Sequence, residues 1–171
     1  NIVEYGNDIL VIDAGQEFAG DNMPGVDYII PDVSYLIAKK KQIKGIIITH
    51  GHLDHIGALK VILSSLDYPT IYTSPLTLGM IKRSLDEKDL KNLKYKLIDP
   101  DIEILKLGVF TIEFFRVNHS IPEAMGLSIH TPKGIIVFSG DFKVDFTPSI
   151  DRPADLGKIS RIGQEGVRLY L

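Results

Sequence analysis

The sequence predicts an α/β layered sandwich in which sheet is covered by helix, and three observations carry that prediction. In the first half, apolar strand-like runs alternate with segments of helical spacing, from Ile9-Leu10-Val11-Ile12 to the helix opened by Ser74-Pro75. In the second half the pattern changes to strands alone, up to Gly134-Ile135-Ile136-Val137-Phe138. Within the first half, Gly45-Ile46-Ile47-Ile48 is a short continuous apolar run, as expected of a strand buried on both faces.

Taken in order, Ile2 to Tyr5 and Ile9 to Ile12 flank the turn sequence Gly6-Asn7-Asp8 and predict a β-hairpin. Asp13-Ala14-Gly15 closes its second strand. The Gly-, Asp- and Pro-rich stretch from Gln16 to Pro31 reads as an irregular loop. Asp32 reads as the N-cap of a helix through Val33, Leu36, Ile37 and Lys40. Helical spacing recurs over Ile56 to Leu63. A short strand follows at Thr70-Ile71-Tyr72, and Ser74 with a first-turn proline opens a helix through Leu78, Ile81 and Leu85. Strands are then expected at Lys96–Ile98, Glu103–Leu105, Thr111–Phe115, Gly126–His130 and Gly134–Phe138, the last two joined by a turn at Pro132-Lys133-Gly134. Ala154 to Arg168 reads as a helix with a glycine-weakened end.

A chain of 171 residues has the size of one domain with a sizeable core. Its 44% hydrophobic and 24% charged content is that of a soluble globular protein, and no apolar stretch approaches the roughly 20 residues of a bilayer span. No membrane partner is therefore expected. The chain has no cysteine, which excludes a disulfide framework and agrees with a cytoplasmic home. The net charge of −3 offers no overall pull toward nucleic acid, and the local runs such as Lys39-Lys40-Lys41 read as solvated faces or helix ends. Asn1 to Tyr5 looks like the middle of a strand and Val167 to Leu171 like the start of one, so a fragment is expected.

The chemistry is concentrated in Thr49-His50-Gly51-His52-Leu53-Asp54-His55. Only five histidines occur in the chain, and three fall here with an acid between them. His50, His52 and His55 each offer a ring nitrogen and Asp54 a charged oxygen, a donor set suited to zinc and tolerated by manganese or iron. A lone histidine is more often a core or surface residue, but this clustering favours a metal. The lack of thiolates argues against a structural zinc finger. The cluster follows the apolar run Gly45 to Ile48 and precedes a helix, so its ligands are expected in a loop at a strand's carboxyl end, where open α/β sheets bind ligands.

Two more strand ends repeat that setting. His119 lies just past Thr111–Phe115, and Asp141 just past Gly134–Phe138 with Gly140 allowing close backbone approach. Alone, each reads as an ordinary loop residue; beside the cluster, both read as further ligands. Asp13 ends the strand Ile9 to Ile12, and its expected part is to orient a ligand imidazole by accepting its other N–H. A plain turn-forming part remains its competitor. His130 lies inside a strand and reads as a sheet-surface or core residue.

In order and type, Asp13, the run Thr49 to His55, His119 and Asp141 resemble the first four motifs of the metallo-β-lactamase superfamily. Within it the chain is most similar to the ribonuclease J family of the β-CASP branch. The carrying segments are Val11 to Gly15, Asp27 to Asp32, Phe114 to Pro122 and Ile129 to Lys143. The resemblance implies a four-layer αββα sandwich, here as an N-terminal metallo-β-lactamase portion over residues 1–171 without the β-CASP and C-terminal parts. It implies two divalent metal ions, zinc foremost and manganese next. His50, His52 and His119 would hold the first, Asp54 and His55 the second, and Asp141 would bridge them.

The implied activity is metal-dependent hydrolysis of RNA phosphodiesters, exonucleolytic or endonucleolytic, with Asp54 and His55 as the catalytic residues. Asp54 would position or deprotonate the attacking water. RNA is the implied partner, and the complete protein is expected to be a homo-oligomer. The alternatives are a small-molecule metallo-hydrolase acting on a thioester, lactone or β-lactam, and a metal-stabilised fragment without catalysis. No substrate-binding residue is legible.

Overall fold

The structure is a computed structural model that describes all 171 residues. Strands β1 (Ile2–Tyr5) and β2 (Asp8–Ile12) form the predicted hairpin, with Gly6 at φ +60° in its turn. The segment expected to be irregular contains a small antiparallel ribbon, β3 (Glu17–Phe18) against β4 (Tyr28–Ile29). Two-residue strands carry no readable period. Helix α1 (Ser34–Ala38) begins two residues after Asp32, whose carboxylate still accepts from the Ser34 N–H at 2.8 Å. It gives way to a 3-10 turn at Lys40–Gln42 rather than running on through Lys40.

Strand β5 (Ile43–Ile47) lies parallel to β2. The single helix expected over Ile56 to Leu63 is instead two short ones, α2 (Leu53–Ile56) and α3 (Leu59–Ile62), split at Gly57 and Ala58. Asp54 and His55 thus stand on a helical turn, not in a loop. Strand β6 (Ile71–Thr73) follows, then α4 (Pro75–Ser84), where the Ser74 hydroxyl accepts from the Thr77 N–H as its cap. Helix α5 (Glu87–Asn92) escaped the sequence reading because Leu90 is its only apolar residue, yet Asp86 caps it by accepting from Asp89 N–H at 2.7 Å. Strand β7 (Tyr95–Leu97) completes a five-stranded sheet in the order β1-β2-β5-β6-β7.

The second sheet is antiparallel through β8 (Ile104–Leu107), β9 (Phe110–Arg116), β10 (Met125–Thr131) and β11 (Gly134–Phe138). Helix α6 (Leu156–Gln164) ends four residues short of the expected Arg168. Gly166, at φ +88°, turns the chain into β12 (Val167–Tyr170), which lies parallel to β11 and completes the order β12-β11-β10-β9-β8.

Strand alternation sorts the core into layers. In β2, Leu10 and Ile12 face the other sheet and meet Phe110, Ile112, Phe114, Leu127 and Ile129. Ile9 and Val11 point the other way and meet Ile46, Leu59, Ile62 and Ile81 under the first helices. Both faces of β2 are covered, which is why its sequence is apolar without interruption. On the far side of the second sheet, Phe115, Val117, Ile135 and Val137 pack with Ile162 of α6. The layers therefore run helix, sheet, sheet, helix, as the αββα expectation requires. Each fully buried Ile, Leu or Phe contributes about 1.5–3 kcal/mol against its exposed state. Because β2 and β5 are parallel, Asp13 and Thr49 leave the first sheet at the same end, where the chain after β9 and β11 also arrives.

Candidate metal centre

Asp13 is the hub of the first half of the site. It holds φ +57°, in the left-handed region that aspartate tolerates better than most residues, and its N–H bonds to the Ile47 carbonyl at 2.9 Å. Its Oδ1 accepts from the Thr49 N–H at 2.8 Å; its Oδ2 lies 2.9 Å from the Thr49 hydroxyl and 2.8 Å from Nδ1 of His55. The next residues dock on α2 through Ala14 N–H to His55 carbonyl (2.8 Å) and Gln16 N–H to Leu53 carbonyl (3.1 Å), and on the start of α3 through Ala58 N–H to Ala14 carbonyl (2.9 Å). That approach requires Gly15: a Cβ there would lie 1.4 Å from the Asp54 carbonyl oxygen.

Three imidazoles meet beyond this hub. Nδ1 of His52 lies 3.1 Å from Nε2 of His50 and 3.1 Å from Nε2 of His119, although His119 is 67 residues away in sequence. His119 comes from the loop after β9. Asp141, after β11, reaches toward both sides: Oδ1 is 3.5 Å from His55 Nε2 and Oδ2 is 3.5 Å from His119 Nε2. Asp54 Oδ2 stands 3.7 Å from His55 Nε2. Two groups of donor atoms lie within 4.8 Å of one another, His50 with His52 and His119, and His50 with His55 and Asp141. Asp54 falls outside both and is the more exposed neighbour of the second.

The charges suit a cation. Burial pushes the His50 pKa down to about 4, helped by the nearby His55, so this wholly buried ring is neutral at pH 7. Burial also lowers His119, against the pull of Asp141. Burial alone would lower His55 too, but the Asp13 hydrogen bond, with the charges of Asp13, Asp141 and Asp54, raises it above its ordinary value.

The donor chemistry fits a divalent metal ion. Two nitrogens bound at about 2.05 Å to a tetrahedral ion stand about 3.3 Å apart, close to the 3.1 Å separations within the first group. One imidazole nitrogen, His52 Nδ1, faces two others at once, an arrangement that a single N–H cannot satisfy. Six residues singled out in the sequence are thus gathered at one sheet edge, with Asp13 behind them. His130 is elsewhere, half-buried on β10 beside Ser128.

Two residues carry structure that the sequence did not announce. Thr49 opens the histidine run, and its buried hydroxyl stands between Asp13 and His50, a setting that its place in the run does not reveal. Asn118 is also buried; its Nδ2 donates to the Arg152 carbonyl at 2.9 Å, its Oδ1 accepts from Ala154 N–H at 2.9 Å, and its own carbonyl accepts from Lys143 N–H at 2.6 Å. Nothing but the fold could reveal those partners.

His55 and Asp141 line a cleft of about 180 Å³ with Asp13, Thr49 and Gly140, and Asp54 faces a wider one of about 570 Å³ beside Gly15, Gln16 and Pro31. On another side His119 and Ser120 line a smaller one of about 130 Å³ with Lys143 and Ser149. The most apolar cavity, about 180 Å³ under Phe115, Val137 and Ile159, contains none of the candidate ligands.

A profile of the metallo-beta-lactamase superfamily matches residues 2–163. Ribonuclease J 1 of Streptococcus pyogenes serotype M3 is 43% identical over 170 residues, which are 99% of this chain and 30% of that protein. Ribonuclease J of Synechocystis is 40% identical over 99% of this chain and 27% of its own length, and that of Helicobacter pylori 41% over 99% and 25%. The chain thus spans less than a third of these curated relatives. Among solved structures, the metallo-beta-lactamase fold protein YhfI of Bacillus subtilis matches with a TM-score of 0.58 at 18% identity, over 82% of this chain and 53% of that one. An N-acyl homoserine lactone hydrolase matches with a TM-score of 0.57 at 15% identity, over 99% and 78%. At such identities the structural matches show the fold alone.

Proposed function

The chain belongs to the metallo-β-lactamase superfamily, and from that premise we propose that it is the metal-binding portion of a ribonuclease that hydrolyses RNA phosphodiesters. The observation that carries this reading is the identity of about 40%, sustained over 99% of the chain, to proteins named ribonuclease J. In the same reading residues 1–171 are an N-terminal portion, with the β-CASP and C-terminal parts supplied by a longer parent that works in the cytoplasm as a homo-oligomer.

His50, His52 and His119 would hold one divalent ion, Asp54 and His55 a second, with Asp141 between the two; zinc is the first expectation and manganese the second. Bound there, two such ions supply a water acidic enough to ionise near neutrality and positive charge against the oxygens of a phosphodiester. The residues do the rest. Asp54, exposed toward the wider cleft, orients the attacking water and takes its proton. His55 has its Nδ1 held by Asp13, so its Nε2 faces Asp54 and Asp141. Asp13 orients that ring by accepting its N–H.

The test compares hydrolysis of a 5′-monophosphorylated RNA with a lactone and a thioester by the full-length parent protein. RNA cleavage that Asp54→Asn abolishes is the expected result. Turnover confined to the lactone or thioester would move the site to the small-molecule class, and full RNA cleavage by Asp54→Asn would remove Asp54 from its part.

A further inference from the structure

The Thr49 hydroxyl has one proton and two neighbours. Its Oγ1 lies 2.9 Å from Asp13 Oδ2 and 3.1 Å from His50 Nδ1. An ionised carboxylate can only accept, so the hydroxyl proton goes to Asp13. The contact with His50 is then a hydrogen bond only if Nδ1 of His50 carries the proton and donates to Oγ1. A neutral imidazole has a single N–H, so Nε2 of the same ring is left as a bare lone pair. That Nε2 is the atom 3.1 Å from His52 Nδ1, inside the candidate metal group.

We propose that Thr49 is a positioning residue of the metal centre: its hydroxyl relays the acceptor demand of Asp13 to His50 and locks the tautomer whose lone pair points into the cluster. Asp13 also accepts the Nδ1 hydrogen bond of His55 directly. One carboxylate therefore fixes the tautomers of two rings, His55 at first hand and His50 through Thr49, and those two rings stand in the same donor group with Asp141. Partners of this kind hold a ligand ring in orientation and raise its basicity. Thr49 and His50 are both buried, and the hydrogen-bond partners of the Thr49 hydroxyl are Asp13 and His50. The relay rests on the metal-centre reading above, but the tautomer it demands belongs to the protein alone and is measurable without metal.

Thr49→Val keeps the side-chain shape and removes the hydroxyl, whereas Thr49→Ser keeps the hydroxyl. Proton–nitrogen correlation spectra of the imidazoles in the metal-free chain are expected to show His50 with its proton on Nδ1 in the wild type and in Thr49→Ser. In Thr49→Val the Nε2 tautomer should appear. Zinc affinity, read by competition with a chromophoric chelator, should drop about tenfold or more in Thr49→Val and stay close to wild type in Thr49→Ser. An unchanged tautomer in the valine variant, or a serine variant that behaves like it, overturns the relay. Should the valine chain fail to fold, the wild type still decides, because a proton on Nε2 of its His50 refutes the inference. A wild type with the Nδ1 tautomer that binds no zinc would instead defeat the metal reading and leave the hydrogen-bond relay standing.

Discussion

Nδ1 of His55 lies 2.8 Å from Oδ2 of Asp13, on an aspartate held at φ +57° between the end of a strand and the glycine that docks on the His55 helix. The carboxylate therefore joins the end of β2 to the run Thr49–His55, the two chain segments that form the first half of the centre. It fixes the imidazole with Nε2 toward Asp54 and Asp141, and it does so at the residue where the backbone leaves the sheet.

Asp13→Asn isolates this charge, because asparagine tolerates the same left-handed backbone. Loss of the carboxylate is expected to lower the His55 pKa in the metal-free chain, since burial lowers it and the Asp13 bond is the largest of the influences that raise it. Metal affinity should fall by about 10- to 100-fold. Histidine titration by NMR and chelator competition check the two effects separately, and an unmoved His55 pKa would show that Asp141 and Asp54 suffice.

How much of this was legible in the sequence depended on range. The layers were readable, because burial of β2 on both faces leaves Ile9 to Ile12 without a polar break, and so was α4, because Ser74-Pro75 states its own start. The donor types were readable from the spacing of His50 to His55. Their grouping came only from the family resemblance, since no local spacing carries it. His119 meets His52 across 67 residues, and the left-handed turn at Asp13 has no composition of its own. The short α2 was missed because four residues make only one turn, too few for periodicity. The long C-terminal helix was overdrawn because the stop at Gly166 is a matter of φ.

Gly15→Ala should cost more than an ordinary surface substitution. The added Cβ overlaps the Asp54 carbonyl, which is backbone and has no rotamer to yield. Either the three backbone bonds that tie residues 14–16 to α2 and Ala58 open, or the histidine turn shifts. We expect a destabilisation of about 3 kcal/mol or more in urea unfolding, with metal binding weakened in the same variant. Wild-type stability in Gly15→Ala would mean that the docked segment is loosely held.

Acid stability should show the tie between the sheets at Asp8. Its Oδ1 pairs with Lys44 at 2.9 Å and its Oδ2 accepts from the Val109 N–H at 2.8 Å, and these bonds hold its pKa below the ordinary carboxylate value. A lowered folded-state pKa means that the unfolded chain takes the proton first. The stabilisation is therefore present above about pH 4, the unfolded aspartate value, and fades as pH falls through the lower folded one. Asp8→Asn should melt below wild type at neutral pH, and the two curves should converge on acidification. A gap that widens toward low pH reverses the sign and rules the pairing out.

The last prediction concerns Asn118, which holds the second half of the centre together. His119 follows it directly, and Lys143, two residues past Asp141, donates to its carbonyl at 2.6 Å, so both late ligands hang on one backbone contact. The side chain braces that contact against the Arg152–Ala154 segment with one donor and one acceptor. Asn118→Asp keeps the acceptor for Ala154 but sets an acceptor against the Arg152 carbonyl in a buried place. Leaving such a group unpaired costs about 1–3 kcal/mol, and more if it is charged. Unfolding in urea should show that loss. Zinc affinity should fall with it, because His119 and Asp141 lose their common brace, whereas Phe114→Ala in the core between the sheets, at about 3–5 kcal/mol, should lower stability and leave affinity near wild type. If Asn118→Asp loses stability alone, the backbone bridge to Lys143 is enough to keep the two ligands in place.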